Sequence, residues 1–167
     1  MTGIYLLPFL AAAVLYDLYQ RKIPNALIMA GLITGAAYQW SAKGPPGMFA
    51  YAGGVLLPLL ILGILHYFRM LGAGDIKLLM MSGGFFGAAG SLKCICLSFL
   101  AAGALSLAVL VKHRILRRRL NYFVQYIKKI RQGGKWTPYI QERENPAYLY
   151  FSIPVLIGSL PLMGGFL

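Results

Sequence analysis

Six apolar runs separated by short polar gaps and one long one set the pattern of this chain: residues 3–19, 25–41, 48–68, 76–91, 93–111 and 147–166. Each approaches the ~20 residues that a helix needs to cross a bilayer. The pattern therefore predicts an all-α, polytopic membrane bundle of six transmembrane helices in a single domain, 1–167. The fourth run is the shortest, and Gly83, Gly84, Gly87 and Gly90 mark it as a closely packed or locally irregular helix rather than a lipid-facing one. Between the fifth and sixth runs, residues 112–146 place Ile115, Leu116, Leu120, Phe123, Ile127 and Ile130 near helical spacing among basic residues. That is the pattern of an amphipathic helix lying on a membrane surface.

Composition agrees with a membrane protein. The 167 residues are 59% hydrophobic and only 12% charged, too few polar side chains to clothe a soluble domain of this size. The net charge of +12 would suit nucleic acid, but the basic residues are gathered in gaps between apolar runs, which is the distribution of an orientation signal. No nucleic-acid partner is expected. The gaps after runs one, three and five hold Arg21, Lys22, Arg69, Lys77 and ten more in 112–146, fourteen in all, whereas the other side has Lys43 and Lys93. The positive-inside rule then puts the odd gaps in the cytoplasm and both termini outside. The segment 112–146 carries ten basic residues and two glutamates, Glu142 and Glu144, a net +8 suited to anionic lipid headgroups. A cleaved signal peptide requires a basic stretch ahead of its apolar run, and the first run has no Lys or Arg before it, so it is expected to stay as a permanent span.

Metal chemistry finds no support. Cys94 and Cys96 lie two residues apart in an apolar run, on different helix faces, with no Cys-x-x-Cys pair or Cys/His cluster, so neither a zinc site nor any other cofactor is expected.

Acids are the scarce residue: Asp17, Asp75, Glu142 and Glu144 are the complete set. The glutamates belong to the long polar gap, where charge is solvated. Asp17 lies in the last turn of the first run, where the helix dipole disfavours an anion and only Arg21, at i+4, offers a local ion pair. Asp75 lies where the fourth run begins, and taken alone it reads as an N-cap. Both fall at the cytoplasmic boundary, and ionisable groups at membrane depth are costly enough to point to function. If helices one and four pack side by side, the carboxyls meet, share a proton near neutral pH and form an aspartic-protease pair. Judged by its own helix end, Asp75 is the base and Asp17 the acid. Gly72 and Gly74 let a substrate backbone approach Asp75. Lys77, two residues on, points away from Asp75 toward headgroups or substrate.

Gly72-Ala73-Gly74-Asp75-Ile76-Lys77 resembles the GxGD-x-K motif of the type IV prepilin peptidases, and Asp17 followed by Ile23-Pro24-Asn25 is similar to that family's first-aspartate motif. The resemblance covers nearly the whole chain. It implies an endopeptidase of a bacterial or archaeal plasma membrane that removes the short basic leader of prepilin-like proteins on the cytoplasmic side, before pilus or secretion-system assembly. By the resemblance Asp17 and Asp75 are the catalytic pair, and Pro24 and Asn25 join Gly72, Gly74 and Lys77 on the substrate side. A +8 segment repels a basic leader, so Glu142 or Glu144 is expected to be its nearest contact there. The chain lacks the cytoplasmic cysteine tetrad and methylating domain of longer members and resembles the short, peptidase-only branch. Two other classes fit the same acids: a small proton-coupled transporter with an aspartate relay, and an assembly subunit in which both aspartates are structural.

Overall fold

The structure, a computed structural model, describes residues 2–68, 70–112 and 150–165. The described residues are helical and contain no strand: α1 (Thr2–Gln20), α2 (Asn25–Tyr67), α3 (Ala73–Lys112) and α4 (Ser152–Met163). The first three are long and apolar enough to cross a membrane, and α4 is a shorter apolar helix. The chain packs as two compact units, Met1–Ala102 with Tyr150–Leu167, and Gly103–Leu149. Both aspartates lie in the first. The amphipathic helix expected over 112–146, with Glu142 and Glu144, lies outside the described residues apart from the end of α3.

Two of the six apolar runs merge in α2 and two in α3, but neither is a straight rod. Gly44, at φ 60° and ψ −143°, breaks α2. This left-handed conformation costs glycine nothing, and Pro45 and Pro46 follow it. The chain doubles back there: the Tyr51 hydroxyl donates to the Leu32 carbonyl at 2.9 Å. A straight helix would separate residues that far apart in sequence by about 28 Å.

The break in α3 comes at Gly87, φ 74°, and not at residue 92 between the fourth and fifth runs. It stands inside the glycine-rich run expected to be irregular, and close packing accounts for its position. A Cβ on Gly54 would run into the Gly83 carbonyl, and the Ser91 hydroxyl donates to the Gly54 carbonyl at 3.0 Å, so backbones meet where only hydrogens fit. The interruption frees carbonyls at the end of the preceding turn. Gln39, buried on α2, donates its amide to two of them, Gly84 at 3.3 Å and Phe85 at 2.9 Å.

On α1 the buried positions are Leu6, Leu10, Ala13 and Asp17, one stripe at helical spacing. That stripe joins Ile28 and Leu62 of α2, Leu78, Leu79 and Met81 of α3, and Val155 of α4 in one core. Helices α1 and α4 run antiparallel, since Gly3 packs against Met163 at one end and Asp17 meets Ser152 at the other.

Candidate active site

Asp17 is the polar end of an apolar stripe. It is only 7% exposed, and the Ser152 hydroxyl, itself fully buried in the first turn of α4, donates to its Oδ2 at 2.6 Å. A carboxylate near the C-terminal end of α1 faces the negative end of that helix dipole, and the N-terminal turn of α4 opposes it with a hydroxyl donor and a positive helix end. Sequence reasoning missed Ser152. Its partner lies 135 residues away, and nothing in its spacing distinguishes it from the other serines of apolar runs.

After α1 the chain turns through Arg21, held at φ 53°, whose backbone N–H donates to the Asp17 carbonyl at 3.0 Å. Pro24 then occupies the N-cap of α2, where its missing N–H is no loss, and its carbonyl accepts from Leu27 and Ile28. Asn25 is therefore the first residue of α2.

Asp75 stands in the first turn of α3 and heads a second buried stripe through Leu78, Leu79 and Ser82. It is not the N-cap. The Ile76 N–H donates to the Gly72 carbonyl at 3.4 Å, which makes Gly72 the cap and Asp75 the third helical residue. From there its carboxyl turns back over Gly72, within hydrogen-bonding reach of that residue's N–H, as an acid in a capping box does. Gly72 is thus spare of side chain for a reason beyond substrate access: a Cβ would stand 2.9 Å from Asp75 Oδ2. A Cβ on Gly74 would meet nothing within 4 Å. The loop before Gly72 is tied down by His66, whose Nδ1–H donates to the Leu71 carbonyl at 3.0 Å, a carbonyl being able only to accept.

The charge of Asp17 reaches Asp75, which is half-buried, so the ends of α1 and α3 that carry them are neighbours. The other motif residues gather beside them. Lys77 is exposed and donates from Nζ to Asn25 Oδ1 at 2.9 Å, so it links the Ile-Pro-Asn stretch to the Gly-x-Gly-Asp stretch. A cavity of about 310 Å³ lies elsewhere, lined by Tyr38, Gln39, Lys43, Phe85, Lys93 and Leu162 among others, and neither aspartate borders it. Among the described residues no three His, Cys, Asp or Glu side chains are grouped to hold a metal ion.

A match to the type IV leader peptidase family covers residues 4–107, which includes both aspartates and all of the motif residues just described. The chain belongs to that family. It is accordingly a leader peptidase of the type IV class, and its long apolar helices make it a membrane protein. No curated protein and no solved structure gives a significant match. Most of this leader peptidase's α3 falls within the matched span, whereas α4, which brings Ser152 to Asp17, falls outside it.

Proposed function

We propose that this leader peptidase is an aspartic endopeptidase in which Asp17 and Asp75 activate water to remove the short basic leader of prepilin-like proteins at the cytoplasmic face. The observation that carries the reading is that the charge of Asp17 reaches Asp75 across two helices. Of the four acids in the chain, the two that lie at membrane depth come from different helices and stand at neighbouring helix ends.

Two carboxyls near enough for the charge of one to act on the other, in a half-buried site, favour a state with a single shared proton. The ionised member takes a proton from water as the water oxygen bonds to the scissile carbonyl carbon. The protonated member gives its proton to the carbonyl oxygen, and a neutral tetrahedral diol results. Collapse of the diol breaks the C–N bond. The leaving nitrogen takes a proton from one aspartic acid, a diol hydroxyl returns one to the other, and the pair ends with the single proton it began with. Gly74, with open space where a side chain would be, is the side from which an extended leader approaches Asp75. Asn25 and Lys77, joined to each other beneath the motif, together with Pro24, frame that approach.

The doubling back at Gly44 and the break at Gly87 support six membrane passes, with α2 and α3 each contributing two. Fourteen basic residues against two support the odd gaps, and with them both aspartates, on the cytoplasmic side and both termini outside. The basic segment 112–146 then lies on anionic lipid of the inner leaflet, with Glu142 and Glu144 as its contacts to the basic leader. Processing of pilin-like subunits for a pilus or secretion system is the role this chemistry serves.

The test is cleavage of a membrane-reconstituted substrate with a basic leader by Asp17→Asn and Asp75→Asn, each checked for insertion. Both are expected to abolish cleavage while inserting normally. Retained cleavage by either variant overturns the pair.

A further inference from the structure

The buried hydrogen bond from Ser152 to Asp17 bears on a question that the pairing alone leaves open, namely which aspartate takes the proton from water. Read by its own helix, Asp17 is the acid, because it sits at the negative end of α1. The tertiary structure opposes that bias from α4. Ser152 is fully buried, so its hydroxyl has no bulk water to turn to, and at 2.6 Å it makes the short contact of a hydroxyl to a charged oxygen. It is also the first residue of α4, so Asp17 meets the positive end of that helix.

We propose that Ser152 is a positioning residue for Asp17: it fixes the carboxyl by occupying Oδ2 and favours its ionised form, so that Asp17 is the base of the pair and Asp75 the acid. This rests on the two-aspartate reading above and adds a residue and an order of proton transfer to it. With Oδ2 engaged by Ser152, Oδ1 is the oxygen that receives the proton from water. The proton that Asp75 carries goes to the carbonyl oxygen of the scissile bond. Among the described residues, Ser152 from α4 meets the Asp17 carboxyl directly and Asp75 from α3 is coupled to it by charge, whereas the Arg21 backbone N–H goes to the Asp17 main-chain carbonyl.

Ser152→Val and Ser152→Thr in the full-length protein test this, because the two side chains have nearly the same shape and only threonine keeps the hydroxyl. Both crowd the buried position alike, so their difference isolates the hydrogen bond. Cleavage of a leader-bearing substrate is measured over a range of pH with kcat and KM separated. Relative to Ser152→Thr, the valine variant is expected to lose roughly ten- to a hundredfold in kcat, the size for a hydrogen bond to a charged group, with KM within about twofold. The acid limb of its kcat profile is expected to move to higher pH, because an anion that has lost a donor binds its proton more readily. Ser152→Thr keeps the wild-type limb. Equal kcat and equal acid limbs in the two variants overturn the proposal, whether both are fast or both slow. Asp17→Asn and Asp75→Asn are assayed alongside. If both are inactive while the valine and threonine variants coincide, the role of Ser152 falls and the pair stands. If either Asn variant cleaves, the pair falls and the role of Ser152 with it.

Discussion

The Lys77 ammonium donates to Asn25 Oδ1 at 2.9 Å, a bond between the first residue of α2 and the opening turns of α3. Both residues are exposed, so the bond competes with water and adds little to global stability. Its value is local, because it ties the segment after Asp17 to the segment that holds Asp75.

Lys77→Met and Asn25→Ala are therefore expected to slow cleavage several-fold with little change in thermal stability. The double variant should be no slower than the slower single one, giving a coupling of about 0.5–1 kcal/mol in a double-mutant cycle on kcat/KM. Additive losses would mean that the two side chains act separately.

Gly72 and Gly74 flank the same acid and are expected to respond differently to one added methyl. Gly72→Ala places its Cβ 2.9 Å from Asp75 Oδ2, so the carboxyl has to move, and a displaced catalytic group costs about ten- to a hundredfold in kcat. Gly74→Ala enters open space and improves helix propensity by up to about 1 kcal/mol. It should keep kcat and raise KM, because the methyl stands on the side of the proposed substrate approach. Kinetics of the two variants on one substrate check both halves of the prediction.

The proposed topology turns on the reversal at Gly44. As one straight helix the 43 residues of α2 would extend about 65 Å, more than twice the hydrocarbon thickness. On the proposed topology, Lys22 and Tyr67 emerge on one side and Lys43 on the other. In a background without Cys94 and Cys96, Lys22→Cys and Tyr67→Cys are expected to be labelled by an impermeant thiol reagent from the same side, and Lys43→Cys from the opposite side. Labelling of positions 22 and 67 from opposite sides would establish a single crossing.

Much of this protein is legible in the chain itself. Apolar run lengths predict apolar helices, and among the described residues three are present at spanning length, because burying a helix in lipid depends on composition more than on partners. The two aspartates are conspicuous because acids are so few, and Asp17 completes the stripe of Leu6, Leu10 and Ala13 that local periodicity already marks as inward-facing. The break near Gly44 is signalled by its own residues, Gly44-Pro45-Pro46-Gly47.

What remained for the tertiary structure were the consequences of contacts between distant segments. The second break falls at Gly87 rather than five residues on, because the close approach of Gly54 to Gly83 and the Gln39 amide on the freed carbonyls select one glycine among several. Asp75 proves to be the third residue of its helix and not its cap, since Gly72 supplies the carbonyl that starts α3. Lys77 reads as a headgroup or substrate contact until α2 brings Asn25 to it. Ser152 gains meaning only when α4 packs antiparallel to α1, for a hydrogen bond across 135 residues leaves no periodic trace in the sequence. Local composition determined which residues would be buried and which acids stood out. The packing of α1, α3 and α4 decided what each acid faces, and electrostatics at membrane depth depends on the facing group as much as on the acid itself.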